Sequence, residues 1–464
     1  MTLRPMFATE TYVQRRERLR TRVPSGLILL PGNGEAPRNY ADNPYPFRQD
    51  STFLYFFGLE QPGLVALLDL DEGTECVFGH DPTVEEIVWT GPVPALADRC
   101  RRVGVTQTAP SERLEPVLAA AIRQGRTIHV PPQYRAENIL TISRLWSPAA
   151  PPAPSVSLVK AIAAQRSVKS AEETAEIEAA LEISRRMHVA ALQMARPGKL
   201  EGEVAGAVEG IALSHGVRLA FEPIFSVRGE IMHNPGRDNV LQVGDLVVND
   251  SGAESPRHYA SDVTRTIPVG GRFSTRQREI YSIVLAAQQK AIAAARPGVE
   301  WREIHRLASV ALVAGLRELG LVRGDPEEAV AAGAHTLFFP CGVGHMLGLD
   351  VHDMEPLGED YVGYTDTIRR NPEFGWRSLR LARAVEPGFV VTVEPGIYFI
   401  GPLIDRWRAE NKHSQFIHYA EVEAWRGFGG VRIEDDLLIT DTGCRVLGPH
   451  IPRTIDEVEA LASA

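Results

Sequence analysis

Two carboxylates twelve residues apart, Asp250 and Asp262, interrupt apolar runs in LQVGDLVVNDSGAESPRHYASDVTRTIPV. GDLVVND reads as a strand ending at Asp250, and YASDVTRTIPV carries Asp262 in the next. The connector SGAESPRHY contains Gly and Pro, so an antiparallel hairpin sets both acids on one sheet face. Buried side by side, two carboxylates repel and resist ionisation unless a cation sits between them. Three further candidates follow: His345 in FFPCGVGHMLGLDVHDMEP, Glu394 between the apolar FVVTV and Pro-Gly, and Glu434 in GGVRIEDDLLIT. This oxygen-rich set with one imidazole suits Mn²⁺ or Co²⁺, with Zn²⁺ also accommodated. Four carboxylates are too many for one ion but fit a pair, the arrangement used for metal-assisted hydrolysis. Taken singly, each residue has a plainer reading. An Asp at a strand end is a turn residue, a Glu beside Pro-Gly is solvated, and a lone His packs in a core. Residue types and spacing alone reach a candidate metal hydrolase.

These residues need a scaffold. At 464 residues the chain is too long for one ordinary core. The one compositional break is SPAAPPAPSVS, residues 147–157, whose prolines favour extended backbone and mark a linker. Before it the segment is mixed α/β, with GLILLPG and VALLDLD as short buried strands. After it, Ser170 and Glu173 have capping-box spacing. The helix they open carries Ile177, Leu181, His188 and Leu192 on one stripe and stops at ARPG, residues 195–198. The phrase returns: Ser274 and Gln277 open a helix that stops at ARPG, residues 295–298. Each ARPG precedes a second helical pattern, LEGEVAGAVEGIALSHG and EWREIHRLASVALVAGL. The shared order predicts an internal duplication; the alternative is chance recurrence of a helix stop.

The net charge of −10 disfavours a nucleic-acid binder, which needs clustered basic surface. MTLRPMFATETYVQRRERLR lacks the apolar core of a secretory signal, and no run is long enough for a membrane span. Cys76, Cys100, Cys341 and Cys444 form no CxxC pair, which predicts four free thiols and a cytoplasmic location.

Laid end to end, LQVGDLVVNDSGAESPRHYASDVTRT, GVGHMLGLDVHD, VVTVEPGIYF and GGVRIEDDLLIT resemble the pita-bread metallopeptidases: aminopeptidase P, prolidase and methionine-aminopeptidase relatives. NYADNPYPFRQDSTFLYFFG resembles the domain that precedes the catalytic one in aminopeptidase P and prolidase. The resemblance implies an α/β (α+β) protein. A mixed α/β aminopeptidase P-type N-terminal domain with its linker would span residues 1–157, and a pseudo-duplicated pita-bread catalytic domain 158–464. It implies two divalent metal ions, with Asp250 on one, His345 and Glu394 on the other, and Asp262 and Glu434 bridging. Many relatives space the first two acids eleven apart, so a bulge is expected in this hairpin. His233 and His352 match the outer histidines that donate to the substrate carbonyl. Arg432 would support the bridging carboxylates from the same strand face. The implied reaction is hydrolysis of the bond before proline, with Glu394 as ligand and proton relay. The partners implied are peptides with proline in second position and, by habit of the family, further copies of the chain as a dimer or tetramer.

Aminopeptidase P and prolidase share the metal motif, and an Xaa-Pro aminopeptidase is the expectation here, with a dipeptidase as the alternative. A dipeptidase must capture a free carboxylate, for which Arg380 in RSLRLARAVEPG, flanked by Arg377 and Arg383, resembles the prolidase clamp. Three solvated arginines are the other reading of that phrase. A metal-free binding module or creatinase-like amidinohydrolase would lack part of the ligand set, which is whole here. One position departs from the pattern. Relatives carry histidine where this chain has Cys341 in CGVGH, and a thiol is a smaller, weaker hydrogen-bond partner, which predicts weakened or redirected hydrolysis.

Overall fold

Short apolar runs closed by turn residues become a mixed sheet in the computed structural model, which describes residues 7–146 and 150–463. The strands β1 (Leu27–Pro31), β2 (Val65–Asp69), β3 (Thr74–Gly79), β4 (Gln107–Pro110) and β5 (Ile128–His129) lie in the order β4-β3-β2-β1-β5. The central three are antiparallel, and β4 and β5 are added in parallel. GLILLPG and VALLDLD supply β1 and β2. Leu29, Leu67, Phe78, Leu118 and Trp146 belong to the core of this region.

The chain divides into two compact units, one running to Arg166 with Met354–Val362 added, the other made of Ser167–Asp353 and the residues from Gly363 on. Of the proline-rich stretch, residues 147–149 lie outside the described residues, as do residues 1–6 of the N-terminal stretch. Residues 150–155 carry no regular structure, and the Val156–Ser167 helix follows. All four cysteines are free thiols. No helix among the described residues is long and apolar enough to cross a membrane.

The second unit is built twice over. Ser170 Oγ accepts the Glu173 N–H at 3.3 Å and Glu173 Oε2 accepts the Ser170 N–H at 3.0 Å, opening the Ala171–Met194 helix. Ser274 and Gln277 repeat this at 3.4 and 2.8 Å for the Thr275–Ala294 helix. Both helices stop at ARPG, where Gly198 and Gly298 take φ of 86° and 81°, a left-handed conformation cheap only for glycine. Second helices, Glu201–Ser214 and Trp301–Glu318, pack on the first. Backbone bonds recur as well: Gly198 N–H to Leu241 O and Glu201 N–H to Asn239 O answer Gly298 N–H to Val385 O and Trp301 N–H to Arg383 O. The isolated bridges Leu200↔Val240 and Glu300↔Ala384 match too. The helical partners are thus displaced by 100 residues and the strand-side partners by 144. By that second offset Asp250 and Glu394 hold equivalent places.

Each half ends in sheet structure. β6 (Ile224–Ser226), β7 (Leu246–Asp250) and β8 (Thr264–Pro268) form one antiparallel set. In the other half, β9 (Val390–Val393) pairs with β12 (Asp435–Ile439), which pairs with β13 (Cys444–Val446). Between them, β10 (Gly396–Tyr398) pairs with β11 (Gly430–Arg432). β7, β8, β9, β10 and β11 are buried throughout, so both faces of each strand meet protein and burial does not alternate along them.

Candidate metal centre

Asp250 ends β7 opposite Thr264 of β8. Asp262 lies two residues before that strand, not within it as the sequence predicts, yet pleat alternation keeps it on the face of Asp250 and Thr264. Pairing runs on without offset through Ser251 N–H to Val263 O and the Glu254↔Ala260 bridge. The paired residues next to the acids therefore carry no bulge. The expected one sits at the turn, where Ser255 O accepts the His258 N–H, Tyr259 O accepts the Ser255 N–H, and His258 has φ 64°. A three-residue loop with a left-handed third residue absorbs the odd residue.

Glu394 follows β9 directly, one residue beyond the Val393↔Asp435 pair, so Glu434 comes opposite it. His345 is laid alongside the same strand: Thr392 N–H donates to His345 O at 3.0 Å and Glu394 N–H to Val343 O at 2.9 Å. Thr392 Oγ1 also accepts the His345 N–H at 3.1 Å. Gly344 makes this approach feasible, because a Cβ there would lie 1.9 Å from Thr392 O. Glu434 is tied to the other half by its own N–H to Thr264 O at 3.1 Å and by Thr264 Oγ1, which donates to its Oε2 at 2.6 Å.

The five side chains converge. His345 Nε2 lies 3.5 Å from Asp262 Oδ2 and 3.4 Å from Glu394 Oε1. Its Nδ1 is 3.0 Å from the Met346 carbonyl, which can only accept, so Nδ1 carries the proton and Nε2 presents its lone pair to the acids. Asp262, His345 and Glu434 each bring a ligating atom within 4.8 Å of the others. Asp250 Oδ1, Asp262 Oδ1 and Glu434 Oε1 are buried with no hydrogen-bond partner among the described residues. Burial, then the charge of Asp250, pushes the Asp262 carboxyl up; burial, then Asp262, does the same to Glu434, and burial raises Glu394. Unpartnered carboxylate oxygens facing one another are what divalent cations satisfy, so the donor set fits a pair of such ions.

Arg432 makes its closest contact with Asp250. Its guanidinium pairs with Asp250 Oδ2 at 2.5 Å and donates to Tyr398 Oη at 2.9 Å and Thr264 Oγ1 at 3.0 Å. It braces Asp250 directly and reaches Glu434 through Thr264, and its charge acts on both Asp262 and Glu434.

A cavity of about 350 Å³ opens onto the acids, walled by Phe221, Ile224, Met232 and Val351 together with His233, Cys341, His352 and Arg432. The His352 ring meets His345 edge to face at 4.5 Å. Burial, then the charges of His345, Arg380 and His233, hold its pKa down at about 2, so it is neutral. His233 stands exposed at the rim. Arg380 is not among the residues lining the cavity, although its charge reaches His352. Burial and the neighbouring Glu394 push the Cys341 thiol up to about 12, which leaves it protonated and unsuited to nucleophilic attack.

Two supporting residues escaped the sequence reading. His188, on the apolar stripe of the Ala171–Met194 helix, accepts from Asn249 Nδ2 at 3.0 Å and donates from Nε2 to Ser251 O at 3.0 Å. It clamps both neighbours of Asp250, and an imidazole amid Ile177, Leu181 and Leu192 was the available signal. Asp436 accepts the Asp262 N–H at 3.1 Å. No spacing in the sequence announces that contact.

Comparison with known proteins agrees with this geometry. Residues 175–441 match metallopeptidase family M24, and residues 12–129 match the aminopeptidase P N-terminal domain. The chain is 31% identical over 448 residues to the human Xaa-Pro dipeptidase, covering 94% of this chain and 88% of that protein. It is 32% identical over 457 residues to a probable Xaa-Pro aminopeptidase of Aspergillus clavatus, covering 94% and 93%. The solved structure of aminopeptidase PepP from Pseudomonas aeruginosa superposes with a TM-score of 0.82 at 30% identity, covering 99% of both chains.

Proposed function

The chain belongs to metallopeptidase family M24, and from that premise we propose that it is an Xaa-Pro aminopeptidase, releasing the residue that precedes a proline. The observation that carries this is the set of unpartnered carboxylate oxygens on Asp250, Asp262 and Glu434 facing His345 and Glu394 at the floor of one cavity. Two divalent cations held by these five side chains, Mn²⁺ ahead of Co²⁺ or Zn²⁺ given the oxygen-rich donors, would supply a nucleophile at neutral pH and polarise the scissile carbonyl. Asp250, Asp262, His345, Glu394 and Glu434 would hold the ions between them, with Asp262 and Glu434 the shared ligands that the resemblance implies. Glu394, its carboxyl raised by burial, moves a proton toward the leaving nitrogen. That nitrogen belongs to proline, a tertiary amide without an N–H, so recognition falls on the carbonyl side, where neutral His352 and the rim His233 donate. Arg432 fixes Asp250 in place through its guanidinium.

Aminopeptidase specificity is favoured by the cavity lining. Among the described residues it contains one guanidinium, Arg432, already engaged by Asp250, Tyr398 and Thr264. A dipeptidase reading, with Arg380 as carboxylate clamp, is favoured by the likeness to the human dipeptidase and by the reach of the Arg380 charge to His352. The same proposal includes a domain boundary at residue 157, cytoplasmic residence in keeping with free thiols, and assembly as a dimer or tetramer. The test is a Mn²⁺-supplemented assay on Ala-Pro and Ala-Pro-Ala. Release of alanine from the tripeptide is expected; cleavage of the dipeptide alone, or of neither, overturns the proposal.

A further inference from the structure

The loop between His345 and His352 is held by backbone bonds along its length. Leu347 N–H donates to Val390 O at 3.0 Å, Ala260 N–H to Gly348 O at 2.8 Å, and Asp353 N–H closes the loop on Met346 O at 2.9 Å. At its exit, immediately after His352, the Asp353 carboxylate meets Lys169 Nζ at 2.9 Å, and both side chains are 1% exposed. Lys169 is held in turn by its N–H to Gly388 O at 2.7 Å, just before the helix cap Ser170. Gly348 is pressed against the pair: a Cβ there would lie 2.5 Å from Asp353 Oδ2 and 3.0 Å from Lys169 Cε.

An ion pair so completely buried is a poor device for stability, because the cost of desolvating two charges rivals their attraction and an apolar pair would pack as well. What an apolar pair lacks is direction. A charge-assisted hydrogen bond fixes the distance and angle of the carboxylate, and with it the backbone of its neighbour. That neighbour is His352, whose ring must stay against His345.

We propose that the Lys169–Asp353 ion pair is a positioning device that holds His352 at the catalytic cavity, a role for two residues outside the cavity lining. The inference rests on the Xaa-Pro reading for its kinetic consequence, but not for its geometric one. Lys169→Met removes the positive charge beside a buried carboxylate and is expected to fold poorly. The informative variants are therefore Lys169→Met/Asp353→Leu, which removes both charges, and Lys169→Gln/Asp353→Asn, which keeps a neutral hydrogen bond. Each is made in the wild-type and the His352→Ala backgrounds.

For the Met/Leu variant we expect a melting temperature near that of the wild type, a kcat on Ala-Pro-Ala reduced about 10- to 100-fold, and a KM within about twofold. In the His352→Ala background the same pair of substitutions changes kcat by less than about twofold. The Gln/Asn variant recovers part of the loss. Carbethoxylation of His352 by diethyl pyrocarbonate, followed by mass spectrometry, becomes several-fold faster in the Met/Leu variant. Full kcat with unchanged His352 reactivity in that variant overturns the proposal, as does an undiminished loss when His352 is already alanine. If the wild type cleaves no Xaa-Pro peptide, the functional reading fails while the modification rate still decides the positioning role.

Discussion

The two halves of the catalytic unit use the same backbone and anchor their loops in opposite ways. At the first residue of the second helix one half has Glu201 and the other Trp301, both fully buried. Glu201 Oε1 accepts the Val227 N–H at 2.7 Å, and Oε2 accepts Asn239 Nδ2 at 2.9 Å and the Asn239 N–H at 3.3 Å. These bonds tie both ends of the loop that carries His233. One turn after Trp301, His305 packs instead on rings: Phe339 at 5.4 Å, Trp376 at 5.2 Å and His335 at 5.9 Å. Phe339 leads directly to Cys341 and His345. A loop at an exposed rim needs directional bonds to hold it, whereas a buried segment is held by packing. The acids themselves stayed equivalent, Asp250 matching Glu394, while their surroundings diverged.

If both halves contribute to one centre, Asp250→Ala and Glu394→Ala should each lower kcat/KM on Ala-Pro-Ala by about a thousandfold or more. Retention of activity within about tenfold by either variant would break the symmetry of the account. Glu201→Ala strands the N–H groups it served and should cost about 1–3 kcal/mol in urea unfolding together with about tenfold in kcat. A loss of stability with kcat intact would make the Glu201 anchor merely structural.

The aromatic anchor makes its own prediction through pH. Burial holds His305 at about 4, below its ordinary value, so the folded state keeps it neutral while the unfolded state takes up a proton first. Its contribution is complete above about pH 6.5 and is lost as the pH falls toward 4, by about 2 kcal/mol at pH 5. The difference in urea-unfolding free energy between wild type and His305→Phe should shift by that amount from pH 7.5 to 5, against the wild type; a constant difference contradicts it. Smallest is the expected effect of Cys341→His, a few-fold rise in kcat/KM from a side chain that reaches substrate better than a thiol. A fall would show that the cavity is adapted to the smaller residue.

The parts of the site most legible in the sequence were those where a charge interrupts an apolar run. Asp250, His345, Glu394 and Glu434 each sit among residues that are otherwise buried, so the anomaly is local. The capping boxes at Ser170 and Ser274 and both ARPG stops were equally readable, because caps depend on neighbours three or four residues away. What was not legible depends on register between distant segments. The Arg432–Asp250 pair joins residues 182 apart and Lys169–Asp353 residues 184 apart. His188 reads as one more member of an apolar stripe, yet its two nitrogens hold both neighbours of Asp250, Asn249 by its side-chain amide and Ser251 by its carbonyl. The bulge was anticipated in the hairpin but found at its tip, since only the strand pairing shows where an extra residue is absorbed.

The most direct test of the account is the number of Mn²⁺ ions bound per chain, measured by equilibrium dialysis and elemental analysis on wild type and Glu434→Gln. About two ions are expected for the wild type and at most about one for the variant, since the lost carboxylate is one of the two expected to bridge. Fewer than one ion on the wild type, or equal binding by both proteins, would contradict it.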